Sequence, residues 1–209
     1  MKFNQIGAHR IPTFVVTVQE LPEKTRHIQE HFKSVGVEAE NFNGFSANAS
    51  GLVTEHTYEL DNPGSNYRIG RKPTATWASF YMLWSALNLL DYNYFLTLEW
   101  DSKFHPDWKA RADRAMSDVP QDFDMLFIGS CCTRNAIKHR VQGDVWEVKR
   151  PMCGHGTIIA KKALPVILET QRKIYAPLDI SLALHTFDKL KVYTVLPRMV
   201  DQFDTALED

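Results

Sequence analysis

Short apolar runs and helix-spaced apolar stripes follow one another along this chain, a pattern that predicts strands alternating with helices. The first run, Thr13–Val18, is rich in β-branched residues, and a second extends from about Val37 to Phe42. Apolar runs bounded by polar residues are typical of buried strands. Between them, Pro22 opens a segment whose apolar residues recur at helical spacing until Gly36. This stretch therefore predicts a strand–helix–strand unit.

The most regular stripe follows Pro73 and is dominated by aromatic side chains. Its members are Trp77, Phe80, Tyr81, Trp84 and Leu87. Their spacing places them on one face of an amphipathic helix, which we interpret as core packing rather than as a ligand platform. The preceding residues 43–71 are rich in Gly, Asn, Ser and Thr and predict a long loop. Loops of that length are often functional.

The second half of the chain continues the alternation. We predict helices over residues 107–117, 161–172 and 178–187, and strands over residues 94–98, 124–128, 145–148, 156–160 and 191–196, with Gly129 ending the second of these strands. Strands that alternate with helices indicate an α/β fold with a mainly parallel central sheet. We find no internal repeat or linker, so residues 1–209 are expected to form a single domain.

The composition is that of an ordinary globular protein. Apolar residues make up 44% of the chain and charged residues 23%, both typical values. The 24 Lys and Arg residues against 25 Asp and Glu residues give a net charge of −1. The chain therefore has no overall basic excess of the kind that drives nonspecific binding to a polyanion.

Features of the termini and cysteines bear on location. The N-terminal segment has no continuous apolar core of a signal peptide, and no apolar run reaches the roughly 18 residues of a membrane span. Cys131, Cys132 and Cys153 have no metal-ligand spacing, and their odd number argues against a disulfide framework. We therefore expect a cytoplasmic protein with reduced cysteines and no stable insertion into a membrane.

The strongest chemical signal is Glu99-Trp100-Asp101, which directly follows the apolar run Tyr94–Leu98. Residues two apart on a strand point to the same side, so the two carboxylates can converge beyond the strand end if the strand continues. In open α/β sheets that crevice binds ligands. Paired carboxylates there suit Mg²⁺ or Mn²⁺, completed by water and substrate phosphates. The alternative is that Asp101 opens a turn and Glu99 is a solvated strand end.

Several short blocks occur in an order that is recognisable. They are Val15–Val18 followed by Arg26, Gly44–Ala47, Ala75–Trp84, Glu99–Asp101, Asp124–Gly129, Gly156–Ala163, Pro177–Asp179 and Pro197–Gln202. Together they resemble glycosyltransferase family 25, which includes lipooligosaccharide galactosyltransferases and the collagen glycosyltransferase domain. The resemblance implies a GT-A-like Rossmann-type domain. This chain departs from the family pattern where Trp100 replaces a middle acid and Phe80 replaces a usual His.

The resemblance also implies a function and its residues. We expect a metal-dependent, inverting glycosyltransferase that uses a nucleotide sugar, most readily a UDP-sugar, with Mn²⁺ or Mg²⁺ held by Glu99 and Asp101. His155 is a candidate third ligand, although a lone His is more often structural. Residues expected to contact the nucleotide sugar are Val16, Thr17, Val18, Arg26, Phe45, Ser46, Ser79, Glu99, Trp100 and Arg198.

Asp179 is our candidate for the catalytic base, because an inverting transfer needs a carboxylate to take the proton of the acceptor hydroxyl. The competing interpretation is a helix cap after Pro177. The expected acceptor is a surface glycan, or a hydroxylated DNA base as in phages. Two other functions remain open at this point: a catalytically inactive nucleotide-sugar-binding module, and a metal-dependent nucleotidyltransferase or phosphohydrolase. The sequence leaves the oligomeric state unknown.

Overall fold

A mixed β-sheet that takes strands from both halves of the chain forms the centre of the protein. The computed structural model describes residues 1–18, 21–50, 52, 57–58, 67–131 and 137–203. The described strands are β1 (Phe3–Ile6), β2 (His9–Thr17), β3 (Glu40–Asn43), β4 (Thr57–Tyr58), β5 (Tyr67–Arg68), β6 (Tyr94–Leu98), β7 (Ser102–Phe104), β8 (Met125–Cys131), β9 (Ile137–Gln142), β10 (Val145–Val148), β11 (Met152–Ala160), β12 (Val192–Val195) and β13 (Val200–Gln202). The described helices are α1 (Pro22–Val35), α2 (Arg71–Asn88), α3 (Trp108–Asp118), α4 (Leu164–Thr170) and α5 (Leu178–His185), with 3-10 turns at Lys161–Ala163 and Phe187–Lys189.

The strand order of the main sheet is β1-β2-β6-β11-β8-β12-β10-β9, and β3 pairs with the second half of β2, on the edge opposite β6. The β2–β3, β2–β6 and β8–β12 pairs are parallel. Strand β11 runs antiparallel to both of its neighbours, β6 and β8. The predicted α/β class is therefore confirmed. The sheet is mixed, because β11 at its centre and β1, β9 and β10 towards its ends pair antiparallel with their neighbours.

Helices cover both faces of the sheet, because successive side chains of a strand point to opposite faces. On β6, Leu96 packs into the core under α1 and α3, whereas Phe95 packs into the core under α2, α4 and α5. Strand β8 divides in the same way, with Leu126 on one side and Phe127 on the other. The sheet is thus the middle layer of three.

Most of the aromatic stripe of α2 is core, as its spacing predicted. Phe80, Trp84 and Leu87 are all buried against the sheet. Trp77 and Tyr81 instead lie half-buried and stack on each other, with ring centroids 5.3 Å apart. The helix therefore presents a buried aromatic face and a partly exposed aromatic pair beside it.

Two sequence predictions for strands in the second half of the chain are wrong. Gly129 does not end its strand, because β8 continues to Cys131. The segment 191–196 does not hold the last strand either, because β13 follows and pairs with β7. Strand β13 passes so close to Gly129 that a Cβ there would lie 2.5 Å from the carbonyl oxygen of Val200. Gly129 is needed for this close approach rather than for a chain reversal.

We predict that Gly129→Ala destabilises the protein by about 1–3 kcal/mol, the usual cost of forcing an extra methyl group into a packed region. Gly70→Ala is the matched control, since the nearest atom to its Cβ position would be Pro73 Cδ at 3.8 Å. Urea unfolding at equilibrium measures both. Equal, small effects for the two variants would show that β13 does not press on β8.

A candidate active site at the end of strand β6

Strand β6 ends in a tight turn that carries both acidic residues. The carbonyl oxygen of Glu99 accepts hydrogen bonds from the backbone N–H of Ser102, at 3.2 Å, and from its hydroxyl, at 2.7 Å. The strand therefore does not continue through Asp101, and the same-side argument made from the sequence does not apply. The turn nevertheless keeps the two carboxylates close enough that the charge of Glu99 raises the pKa of Asp101.

Asp101 is a buried carboxylate with an incomplete set of partners. Its side chain accepts one hydrogen bond, from the amide of Gln202 to Oδ2 at 3.0 Å. Its Oδ1 is buried and has no hydrogen-bond partner among the residues that the structure describes. Burial, and then the neighbouring Glu99, raise the pKa of Asp101 to about 6. At neutral pH the turn thus holds a negative charge in an environment that disfavours it.

His155 is the third residue predicted to bind metal, and it lies beside Glu99. Its Nδ1 is 3.5 Å from Glu99 Oε2, and this nitrogen has no hydrogen-bond partner within the described part of the chain. The imidazole is only 1% exposed. Its carbonyl oxygen accepts hydrogen bonds from the backbone of Glu99 and the hydroxyl of Ser102. Strand β11 is therefore hydrogen-bonded to the acidic turn through this residue.

These observations bear on the predicted metal site. Within residues 1–18, 21–50, 52, 57–58, 67–131 and 137–203, no group of three His, Cys, Asp or Glu side chains is arranged to hold a metal ion. The donor set that is present, Asp101 with an unpartnered oxygen and Glu99 beside it, fits a hard cation whose other ligands are water and phosphate oxygens. The metal assignment of Glu99, Asp101 and His155 remains a prediction.

Strand β11 bulges where it passes the acidic turn. Its register against β8 shifts between Met152 and Gly156, and Cys153 adopts a positive φ of 60°. A disulfide joins Cys153 to Cys131 of β8. The expectation of reduced cysteines is therefore wrong for this pair, because the fold brings together two residues that are 22 positions apart. Bulges of this kind often redirect side chains next to active sites.

Asp179 lies in the first turn of α5, across the bulge from Glu99. One carboxylate oxygen accepts a hydrogen bond from the N–H of Ile180 at 2.9 Å, and the other from the N–H of Cys153 at 3.4 Å. Pro177, not Asp179, is the N-cap residue of the helix. Asp179 thus supports its own helix turn and also ties α5 to the bulge.

Glu99 and Asp179 line the same cavity, which has a volume of about 330 Å³. It lies between α2, α5 and the strands β6, β8 and β11. A Cβ on Gly154, another lining residue, would lie only 3.7 Å from Glu99 Oε1. Gln202, the partner of Asp101, also lines the cavity. Asp179 and Glu99 therefore face one space, whereas the buried Asp101 does not line it.

Sequence reasoning missed Gln202 as part of the site. It was noted only as the end of the Pro197–Gln202 block, and nothing in its local sequence indicates a contact with a residue about 100 positions earlier. The pairing of β13 with β7, which sets Gln202 opposite Ser102, brings it there.

The predicted nucleotide-sugar residues divide into two groups. Those with internal structural roles include Ser79, whose hydroxyl accepts a hydrogen bond from Phe45 N–H at 2.8 Å and donates one to the carbonyl of Ala75 at 2.7 Å. Val16 and Thr17 are buried within β2. Arg198 contacts the carboxylate of Asp201 and the carbonyl of Ser130. Ser79, Val16 and Thr17 are thus occupied in holding the fold, whereas Arg198 makes these contacts and is still 47% exposed.

The other predicted contacts remain accessible. Phe45 is 43% exposed, Arg26 is exposed on α1, and Val18, Ser46 and Trp100 are partly exposed. The Nζ of Lys24 lies 4.6 Å from the centre of the Trp100 ring. Of all ten predicted contacts, Glu99 alone lines the cavity described above. None of the remaining accessible residues lines this cavity.

Comparisons with known proteins give a limited result. No family model matches the chain, and no curated protein matches it. Similar solved structures include A197 from STIV, with 12% identity, a TM-score of 0.46 and coverage of 92% of this chain and 85% of that one. A glycosyltransferase involved in the glycosylation of the major capsid of PBCV-1 has 11% identity and the same TM-score, with coverage of 88% and 80%. The inositol-1-phosphate CTP transferase from T. maritima has 13% identity and a TM-score of 0.39, with coverage of 89% and 70%. At these values the similarity assigns no function to the chain.

No helix among the described residues combines the length and apolar content needed to cross a bilayer.

We predict that Asp101→Asn stabilises the metal-free protein at pH 7.5. The pKa of this carboxyl is raised from 3.8 to about 6 in the folded state, so the folded protein binds more protons than the unfolded chain between these values. Its stability therefore falls as the pH rises from about 4 to 6, by roughly 3 kcal/mol for a shift of this size. The neutral amide removes that dependence.

Urea unfolding of wild type and Asp101→Asn at several pH values measures the effect. The difference should be largest above pH 7 and disappear below about pH 4. Asp91→Asn, which changes a fully exposed carboxylate, is the control and should show no such pattern. A loss of stability for Asp101→Asn at pH 7.5 would contradict the prediction.

Proposed function

We propose that this protein is a metal-dependent, inverting glycosyltransferase that uses a nucleotide sugar, with a UDP-sugar as the expected donor. The observation that supports it most is the convergence of three carboxylates: Glu99 and Asp179 line one cavity, and the unpartnered Asp101 lies in the same turn as Glu99. This arrangement provides what such a transfer needs, a place for a cation beside a place for a base.

The acidic turn is the proposed metal site. Asp101 would be the direct ligand of Mn²⁺ or Mg²⁺, with Glu99 and His155 in support. A divalent ion there would stabilise the negative charge of the departing diphosphate. The raised pKa of Asp101 is consistent with this role, because a carboxylate that is costly to ionise alone is stabilised by a cation.

The donor is proposed to bind over the carboxyl ends of β2, β3 and β6. Ligands of open α/β sheets bind beyond the carboxyl ends of the strands. The accessible residues on this side are Val18, Arg26, Phe45, Ser46 and Trp100. Trp100 and Phe45 could stack against a base or a sugar, and Arg26 could pair with phosphate.

Asp179 is the proposed base. In the transfer, the acceptor oxygen forms a bond to the anomeric carbon while the bond from that carbon to the diphosphate oxygen breaks, and the hydroxyl proton passes to Asp179. The two backbone N–H donors from Ile180 and Cys153 hold this carboxylate in a fixed orientation at the cavity. A fixed base is the requirement for such a proton transfer.

The acceptor and the cellular location both stay proposals. The resemblance favours a surface glycan as acceptor, and a hydroxylated DNA base is the less favoured option because the net charge of −1 offers no general attraction to nucleic acid. Cytoplasmic location also stays a proposal, and the Cys131–Cys153 disulfide is an observation against it, since disulfides are rare in reducing compartments.

We predict that Asp179→Asn lowers the rate of sugar transfer by at least about 100-fold, the typical contribution of a positioned base. Release of UDP from UDP-sugars in the presence of acceptor measures it. Asp188→Asn is the control, since it changes an exposed carboxylate in the turn after α5. Near wild-type transfer by a folded Asp179→Asn variant would contradict the base assignment.

The donor class is tested separately by thermal shift. A nucleotide sugar that binds only the folded state raises the melting temperature, and we expect the shift to require Mn²⁺ or Mg²⁺. Asp101→Asn should lose the metal-dependent part. No shift with any nucleotide sugar would contradict the proposed function, and release of pyrophosphate from a nucleoside triphosphate would favour a nucleotidyltransferase instead.

A further inference from the structure

The cavity beside Asp179 has a polar mouth and an apolar interior. On α2, Thr76 is exposed at the mouth, Phe80 follows one turn later, and Trp84 is buried after a further turn. Residues four apart lie on one face of a helix, so these three form a line about 12 Å long into the protein. The polarity thus falls with depth along this wall.

The other walls show the same gradient. On α5 and the segment after it, the half-exposed Asp179 is followed by Leu182 and Phe187, which are both buried. On the sheet, Glu99 lies at the rim, whereas Phe127 and Ile159 form part of the buried floor. A space with charged groups at one end only is suited to a molecule with one polar end.

These features describe one class of ligand. We infer that the acceptor substrate is a small amphipathic alcohol, with a hydroxyl at one end and an aromatic or branched aliphatic body. The hydroxyl lies at the mouth beside Asp179, and the body lies against Phe80 and Phe127. This inference rests on the proposed function for its reaction, and it replaces the glycan with an apolar acceptor.

The volume and lining are compatible with this assignment. About 330 Å³ lies at the lower end of the range for small-molecule sites. A free sugar or a nucleobase would have to bury several polar groups against Phe80, Phe127, Ile159 and Phe187, where few partners exist. The hydroxyls of Thr97 and Thr157 are the main polar groups of the floor, and Thr97 already donates to the carbonyl of Thr157, at 3.4 Å.

The first experiment blocks the cavity. The probe is 4-methoxybenzyl alcohol, and glycerol is the polar control ligand. Leu182→Phe adds bulk inside the cavity, and Leu184→Phe makes the same substitution on the exposed side of the same helix. We expect wild type and Leu184→Phe to bind the probe with equal affinity by calorimetric titration, and Leu182→Phe to lose at least about tenfold. Equal affinity of the two variants, or no binding by wild type, would overturn the inference.

The second experiment does not depend on the folding of Leu182→Phe, because it uses the wild-type protein alone. Wild type should bind 4-methoxybenzyl alcohol at least about tenfold more tightly than glycerol, since the interior of the cavity offers few partners for the additional hydroxyls of glycerol. Equal affinity for the two ligands would overturn the inference.

The failure of this inference can be separated from failure of the proposed function. Donor binding is measured on the same proteins by the metal-dependent thermal shift with UDP-sugars. If the donor binds and the probe does not, the acceptor class is wrong and the transferase proposal stands. If the probe binds and no donor does, the cavity is a small-molecule site without the proposed transferase activity. When both bind, formation of the 4-methoxybenzyl glycoside with equimolar release of UDP completes the test.

Discussion

The site depends on keeping a negative charge at Asp101 in a buried turn next to a second carboxylate. Burial and Glu99 both disfavour that charge. His155, a backbone hydrogen bond of Asp101 itself and a hydrogen bond from Gln202 oppose them, and Gln202 comes from a strand 101 positions later in the chain. The ionised Asp101 therefore lowers the stability of the folded protein. Charged groups in such unfavourable surroundings are typical of sites that bind a cation or a substrate.

Three separate parts of the chain hold this turn in place. Strand β13 reaches it by passing Gly129, where only a glycine leaves room for Val200. Strand β11 is fastened to it through the carbonyl of His155, and the disulfide of Cys153 anchors the bulge to β8. Since Asp179 accepts a hydrogen bond from Cys153 N–H, the same bulge also sets the distance between the acidic turn and α5.

The sequence predicted the helices, strands and acidic residues of this site better than the long-range contacts between them. The apolar run before Glu99, the helix opened by Pro22 and the α2 stripe depend on short-range periodicity, and each agrees with the structure. The bulge at Cys153, the disulfide and the contact of Gln202 with Asp101 could not be predicted, because each depends on segments that meet only after the sheet has formed. Gly129 shows the same limit: its role is set by Val200, about 70 residues away, and local sequence suggested a strand end.

Helix α2 borders both the region proposed for the donor and the cavity beside Asp179. One of its faces holds Ser79, which binds the backbone after β3 on the side proposed for the donor. An adjacent face carries Thr76, Phe80 and Trp84 into the cavity beside Asp179. Glu99 lies where these two sides meet. A donor over the ends of β2 and β3 and an acceptor in the cavity would then approach each other at the acidic turn, where a cation and a base are both within reach. Phe80 suits this arrangement, because an apolar side chain on that wall can contact the apolar part of such an acceptor.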